Sequence, residues 1–498
     1  MGTEDVYRPR NPEENPLYGV VAGHLETFLA RQRERDRNAP EFVEREFRAF
    51  LDCGVLSRGF IRVHCDACGL DRVVPYSCKH RGFCNSCCGR RMADTAAHLV
   101  DRVFPRVPVR QWVLSFPYHL RYRLAYDADL LTNVLGIVTK TIFTSLIQRA
   151  CEFGAVRNAQ CGAVSFIQRF DSALRLNLHI HSLVTDGVYA ADDDGHPQFQ
   201  VLPAPDDEEI ARLTELLAKR IREFFCRRGL GPDSDPEESD PLARDQPWLA
   251  GLYAASVRGR TTAGNNSSRR ATHRGDQIDP ESLESFSSPR CATVDGFSLH
   301  ANVAVPAGDR TRLERLVQYC ARGPIAMERL ELLAGGRLLY RFKRAWRDGS
   351  THIVLTPLEM LEKLSALIPS PHAHLVRYAG IFAPAAKWRS LIVPTSSPPV
   401  ETEPAIHALG AQAAGIEASN VETPVCRHGR NYTWAELMKR VWALDVLECP
   451  RCQGRMRILT AIHSPDAIEK ILGCVGLPSR SPPLSPAVPE SSVAIEPF

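Results

Sequence analysis

Two groups of residues in this 498-residue chain have types and spacings that could do chemistry. The first is a pair of imidazoles. In Leu174-Arg175-Leu176-Asn177-Leu178-His179-Ile180-His181-Ser182-Leu183-Val184, the residues Leu174, Leu176, Leu178, Ile180 and Val184 alternate with Arg175, Asn177, His179 and His181. Alternation of this kind is the period of a strand, so both imidazoles point to one polar face, about two residues of rise apart, where they can chelate one divalent ion. A lone histidine on a strand reads as a core residue; two at this spacing beside Arg175 and Asn177 read as a metal site. The second group is thiols. Cys65-x2-Cys68, fifteen residues, then Cys84-x2-Cys87 is the ribbon spacing in which two tight turns present four thiolates to one tetrahedral Zn²⁺. Cys78, His80 and Cys88 fall in the same knuckle and leave an exchanged ligand or a second ion open. Cys449-x2-Cys452 is half a site that Cys426, His428, His463 or Cys474 could complete, whereas Cys53, Cys151, Cys161, Cys226, Cys291 and Cys320 read as small core residues.

These groups need elements to hold them. The spacing predicts an amphipathic helix over His24–Leu51, interrupted near Asn38-Ala39-Pro40, and a helix over Arg90–Val103 after the cysteine knuckle. Strands are expected at Val109–Ser115, twice within Cys161–Tyr189, and at Phe297–Val305, Arg337–Arg344 and His352–Leu355. Further helices are expected at Leu130–Ala150, Asp206–Arg228 and Asp309–Tyr319. The resulting division is an N-terminal helical segment (1–50), a zinc-binding domain (51–105), a main domain (106–393) with a mobile insert at about 229–290, a linker (394–424), a small C-terminal module carrying Cys449 and Cys452 (425–476), and a Pro/Ser-rich disordered tail (477–498).

Composition narrows the function classes. With 44% hydrophobic and 24% charged residues and no apolar run of the roughly 20 residues that span a bilayer, the chain reads as soluble rather than membrane-bound. The N-terminus lacks a secretory h-region, so a cytoplasmic location is expected and sixteen cysteines point to metal rather than disulfides. The net charge of +3 conceals segregation: Arg72–Arg123 carries ten basic and two acidic residues, and Arg310–Arg347 ten and three. Aromatic residues interleave both stretches (Phe83, Trp112, Tyr118, Tyr122; Tyr319, Tyr340, Phe342, Trp346), which suits a nucleic-acid backbone with stacked bases.

A His-hydrophobic-His strand between such flanks is similar to the HUH endonucleases, in which a metal polarises the scissile phosphate and a tyrosine attacks it. A phenol with an ordinary pKa near 10 is a poor nucleophile, so a Lewis acid must neutralise and orient the phosphate. Four segments resemble, in the expected order, the rolling-circle insertion-sequence transposases of the ISCR type: Cys65–Met92, Gln168-Arg169-Phe170 with Asn177–His181, Leu316–Ala326, and Ala373–Ala383. The resemblance runs from about Phe50 to Arg389, with a weaker echo in Trp434–Met456.

That resemblance implies an α+β fold: an HUH nuclease core of antiparallel sheet flanked by helices, preceded by a small zinc-ribbon module and helices. It implies an enzyme that nicks single-stranded DNA at element ends through a 5′-phosphotyrosine and transfers the strand by a rolling-circle-like mechanism. His179 and His181 would hold Mg²⁺ or Mn²⁺, Tyr319 would be the nucleophile with Arg322 beside it, and Cys65, Cys68, Cys84 and Cys87 would hold structural Zn²⁺. Tyr340 and Tyr378 are competing nucleophiles, and the third metal ligand is open among Gln168, Asp171, Asp186 and Gln318. Two-tyrosine relatives carry a second tyrosine one helical turn earlier, where Arg315 stands, so a one-tyrosine mechanism is implied. Element ends and target DNA are the implied partners, a homodimer is left open, and the expected place is the bacterial cytoplasm, at the nucleoid. The alternatives are a zinc-ribbon DNA-binding regulator and a transposase relative that binds without cutting.

Overall fold

The computed structural model describes residues 11–35, 38–154, 158–231, 240–262, 269–270, 272–275, 289–346, 349–394 and 432–488. The chain opens with α1 (Pro16–Glu34), started by an Asn15 side chain that accepts from the Leu17 amide, and α2 (Glu41–Asp52). Phe47 and Phe50 of α2 pack against Phe83, with ring centroids 4.9 and 5.1 Å apart. The cysteine knuckles follow: strands β1 (Phe60–Cys65) and β2 (Asp71–Pro75) form a hairpin, and α3 (Asn85–Arg102) leads away from it.

The main domain contains, in order, β3 (Val109–Ser115), α4 (Tyr118–Tyr126), α5 (Ala128–Phe153), β4 (Gly162–Phe170), β5 (Leu176–Thr185), β6 (Gly187–Ala191), β7 (Pro197–Val201) and α6 (Asp207–Arg227). Next come α7 (Pro241–Asp245), α8 (Pro247–Val257), the short strands β8 (Arg260–Thr261), β9 (Arg269–Arg270) and β10 (Thr272–Gly275), then β11 (Cys291–Val294), β12 (Phe297–Val305) and α9 (Arg310–Ala321). The domain closes with β13 (Leu330–Leu332), β14 (Leu338–Arg341), β15 (Ser350–Leu355), α10 (Pro357–Leu367), β16 (Val376–Gly380) and α11 (Arg389–Ile392). A last segment carries α12 (Trp434–Trp442), β17 (Met456–Ile462) and α13 (Pro465–Cys474). The fold is α+β.

Its centre is a six-stranded sheet in the order β11-β12-β3-β5-β4-β16, every neighbouring pair antiparallel. One face, with Val164, Phe166 and Leu183, packs under α3 (Ala96, Leu99, Val100) and α9 (Leu313, Val317, Cys320). The other, with Trp112, Leu114, Ile167, Leu178 and Ile180, joins the larger core with side chains of α4, α5, α6, α8 and α10. Burial on both faces explains why β4 is buried along its whole length while β5 reads as an alternating strand only where its histidines lie.

Four expectations about organisation change. The insert at 229–290 is partly core: Trp248, Leu249, Leu252 and Tyr253 of α8 are buried, and Trp248 Nε1 donates to Gln32 Oε1 at 2.8 Å, because the apolar run Trp248–Tyr253 has a surface of the main core to cover. The C-terminal module is not separate. Its β17 pairs antiparallel with β1, from Phe60 opposite Ile462 to Cys65 opposite Met456, because an unpaired β1 edge offers a ladder of donors and acceptors. The tail up to residue 488 lies along α1, where the Ser485 amide donates to Ala22 O and the Val488 amide to Thr27 Oγ1, both at 3.0 Å. Finally, α5 is long and apolar enough to cross a membrane, yet Leu130, Val134, Val138, Ile142, Leu146 and Ala150 form a stripe buried in the core. The linker at 394–424, apart from Pro394, lies outside the described residues, as do Cys426 and His428.

Candidate active site

His179 and His181 sit on β5, an interior strand, so backbone ladders on both sides fix their positions. Their rings lie edge to face with centroids 4.9 Å apart, and the His181 ring is 5.7 Å from that of Tyr319 on α9. Burial lowers the pKa of His179, and lowers that of His181 well below the usual value, with the neighbouring His179 and Arg322 adding to it. Both imidazoles are therefore neutral near pH 7, the form that can bind a metal.

The remaining contacts of each ring decide which nitrogen is available. His179 Nδ1 lies 2.8 Å from the Asn177 carbonyl, an acceptor only, so Nδ1 carries the proton and Nε2 keeps its lone pair. His181 Nε2 is buried without a hydrogen-bond partner. Its Nδ1 is 2.9 Å from the side-chain amide of Gln111, which also reaches the Cys320 sulfur at 3.3 Å. Burial pushes the Cys320 thiol up to about 12, so it keeps its proton. A metal on His181 Nε2 requires Nδ1–H, hence a Gln111 amide turned so that its oxygen accepts from Nδ1–H and from the thiol; a half-turn of the amide costs no change of shape.

Gln168, one of the four third-ligand candidates, lies on the neighbouring strand. It stands opposite His179 on β4, and its Nε2 donates to the carbonyls of Tyr319 (3.0 Å) and Cys320 (2.8 Å). Two carbonyl partners require the nitrogen there, so the amide oxygen faces the other way, buried and without a partner. The other third-ligand candidates are less well placed. Asp171 is bound by Arg175 at 2.7 Å, Asp186 forms a paired contact with Arg110 at the opposite end of β5, and Gln318 is half-buried on α9. By chemistry, the orphaned His181 Nε2, the His179 Nε2 and the orphaned Gln168 amide oxygen are donors that suit a divalent cation.

Tyr319 is more than a third exposed, at the C-terminal end of α9, with Arg322 Cζ 5.2 Å and Lys343 Nζ 5.0 Å from its ring centroid. Arg322 also lies 5.2 Å from the Phe170 ring, and its Nε is buried without a partner. Tyr340 is buried in β14 with its hydroxyl accepting from the Ala326 amide, and Tyr378 is a partly buried residue of β16 under Arg389. Arg315, one turn before Tyr319, is exposed.

A cleft of about 260 Å³ adjoins this site, walled by Gln168, Arg322, Arg81, Arg91 and His374. Arg91 Nη1 is buried there without a partner, as Arg322 Nε is. Two guanidinium groups with unmet donors suit an oxyanion. Gly323 has no side chain because a Cβ there would stand 2.7 Å from that of Cys88, so the exit of the Tyr319 helix rests directly on the start of α3.

The four cysteines expected to share one zinc do not come together. Cys84 and Cys87 join Cys53 and Cys78, while Cys65 and Cys68 join Cys449 and Cys452; within each quartet all sulfurs lie within 4.8 Å of one another. The reason is geometric: the β1–β2 hairpin carries Cys65 and Cys68 to one end, whereas Cys84 and Cys87 enter α3 against the end of α2, where Cys53 lies. Cys88 faces the Gly82 carbonyl and His80 pairs with Glu46, so neither completes a quartet. His463 stacks on Tyr76 and Cys474 is exposed. Hydrogen bonds from Cys53, then Cys78 and Cys84, drive the Cys87 thiol far down. Spacing alone hid Cys53, which stands outside any CxxC pair, and Gln111, which carries no sequence signal.

Two family models match the chain: one described as "Putative transposase" over residues 162–389, and one described as "Transposase zinc-binding domain" over residues 20–116. The first spans β4, β5 and α9, and the second contains the whole Cys53/Cys78/Cys84/Cys87 quartet but only half of the other. No curated protein and no solved structure matches the chain significantly. The zinc-binding match and the cysteine clusters together support structural Zn²⁺, and DNA is the partner that a transposase acts on. A zinc-binding domain matched ahead of a transposase domain supports an IS91-type transposase.

Proposed function

We propose that this transposase is a metal-dependent tyrosine nuclease and strand transferase of the HUH kind, acting on single-stranded DNA at the ends of its element. The observation that carries the reading is the pair of imidazoles of His179 and His181, 4.9 Å apart, with the Tyr319 ring 5.7 Å from His181 and Gln168 opposite His179 on the neighbouring strand. Mg²⁺ or Mn²⁺ on His179, His181 and Gln168 would polarise the scissile phosphate and offset its growing charge. Tyr319 lies at a helix end where solvent reaches it, so its oxygen can approach a bound strand in line. Its oxygen forms a bond to phosphorus while the bond from phosphorus to the 3′ oxygen breaks. The phenol's proton passes to solvent and the departing oxygen takes one up as 3′-OH. The phosphotyrosyl ester conserves the energy of the broken bond, so a second 3′-OH can reverse the step and join strands in a rolling-circle-like cycle.

Arg322 and Lys343 bring positive charge to the attacking ring, and the cleft of Arg81, Arg91 and His374 would hold the neighbouring phosphate. With Arg315 in place of a second tyrosine, both cleavages of one cycle fall to Tyr319, either reused or supplied by a second copy in a homodimer. The setting is the cytoplasm, at the nucleoid, where the element's DNA is.

The test is incubation of the full chain with single-stranded element-end DNA and Mn²⁺, followed by a denaturing gel. Wild type should give a covalent adduct and Tyr319→Phe, which keeps the ring, should give none. Tyr340→Phe and Tyr378→Phe should still form it. An adduct mapped to any other tyrosine, or none from wild type at any metal concentration, would overturn the reading.

A further inference from the structure

We infer that Cys65, Cys68, Cys449 and Cys452 form a second zinc site, split between the two ends of the chain, that clamps the C-terminal segment in place and thereby holds Arg440 behind the helix of Tyr319. The two half-sites are built alike. In Cys65-Asp66-Ala67-Cys68-Gly69-Leu70 the Cys65 amide donates to Leu70 O and the Gly69 amide to Cys65 O, both at 2.9 Å. In Cys449-Pro450-Arg451-Cys452-Gln453-Gly454 the Cys449 amide donates to Gly454 O at 2.9 Å and the Gln453 amide to Cys449 O at 2.8 Å. Gly69 and Gln453 occupy the same place in each turn, with left-handed φ of 72° and 60°. A non-glycine residue enters that region at a cost, and here it repeats a turn that presents two sulfurs to one point.

The sulfurs meet crosswise, Cys65 with Cys452 and Cys68 with Cys449, each at 3.5 Å. That is far beyond a disulfide bond of about 2.05 Å. It is close to the ~3.8 Å expected between ligands of a tetrahedral ion with Zn–S bonds of about 2.3 Å. Apolar packing at this junction is slight. Val63, Cys65, Cys449 and Met456 make one small buried cluster, and Phe60, Ile468 and Leu472 another. Modules with so little core are ordinarily completed by a metal.

The clamp reaches the site through α12, which precedes the Cys449 turn. Leu437 of α12 is buried with Ala93 and Ala97 of α3. Arg440 bonds Glu314 on α9 through Nε at 2.9 Å and Nη2 at 2.8 Å, and also bonds Asp101 on α3. One guanidinium thus ties the helix that leaves the first quartet to the helix that carries Tyr319. Arg440 touches nothing that reacts, so it is a positioning residue, and this consequence rests on the reading of Tyr319 above.

The experiment is metal analysis of the purified full chain by mass spectrometry, repeated after Cys449→Ser/Cys452→Ser. Wild type should hold two zinc ions per chain and the double variant one, and Co²⁺-loaded protein should lose about half its thiolate charge-transfer absorbance in the variant. Amide exchange in β1 and α12 should quicken in the variant while β4 and β5 keep their protection. One zinc in wild type, or two retained by the variant, would overturn the split site. Two zincs with α12 exchange unchanged in the variant would overturn the clamp. Zinc count and exchange need no DNA, so they can fail while the adduct test succeeds, and the reverse.

Discussion

The sheet site and the thiol quartets both make distant side chains converge, but different forces hold them. His179, His181 and Gln168 are placed by backbone ladders inside the six-stranded sheet and by a core on each of its faces. The cysteines lie in turns and at helix starts: Cys65, Cys68, Cys449 and Cys452 where little apolar surface is buried, and Cys53, Cys84 and Cys87 at the edge of the main core beside Phe83. A side chain on a ladder can be cut back without losing the ladder. A thiol that holds a structural ion cannot be removed without releasing the segment it ties. The sheet site should therefore behave as chemistry without structure, and the quartets as structure without chemistry.

The sharpest way to break that contrast is at the histidines. His179→Ala or His181→Ala should lower nicking on the order of 10²–10³-fold or more, the scale of several kcal/mol that a Lewis acid contributes. Affinity for DNA, with its salt dependence, should stay close to wild type because it arises from the Arg-rich segments. Equal cleavage by wild type and the double variant at saturating metal would end the assignment. A strong loss of DNA binding in the variants would mean the site is not separable from the surface around it.

At the first quartet the contrast predicts the opposite pattern. Cys53→Ser should remove one zinc and loosen the region between α2 and α3, since structural zinc contributes about 10 kcal/mol or more of apparent folding free energy in small modules. Exchange in β5 should change little, while adduct formation should fall because Gly323 and Arg91 lose their support from α3. Unaltered zinc content in Cys53→Ser would show that Cys53 is a core residue after all.

Two smaller effects refine the sheet site. Gln168→Ala should raise the Mn²⁺ concentration needed for half-maximal nicking, and Gln111→Ala should weaken metal affinity by about 10–100-fold, as loss of a ligand's orienting partner does. If Gln111→Ala leaves the metal titration unmoved, His181 is oriented by the strand alone. The smallest effect belongs to Arg440→Ala. Its bonds to Glu314 and Asp101 are partly exposed, so the stability loss should be about 1 kcal/mol or less. Adduct yield should fall several-fold, and Arg440→Lys should restore only part of it because a single ammonium cannot bridge both carboxylates as the planar fork does.

What the sequence determined by itself is what depends on neighbours along the chain. The alternation of Leu176, Leu178 and Ile180 with Asn177, His179 and His181 was legible because strand geometry turns a period of two into a face. The helix of Tyr319, the body of α5 and the CxxC turns were legible for the same reason, whereas the start of α1 at Pro16 lay eight residues ahead of the expected His24. Only the tertiary structure decided which pair of thiols met which. CxxC fixes the geometry inside one turn and says nothing of the partner turn, so Cys65 and Cys68 passed over Cys84 and Cys87 to meet residues from the far end of the chain. The different partners of Gln168, Asp171 and Asp186 were likewise decided in space: arginines bind both carboxylates, while the end of α9 holds the Gln168 amide by its nitrogen. Local periodicity is written in sequence because each residue carries it, whereas convergence is a property of the packed chain and exists only once sheet, helices and ends have come together.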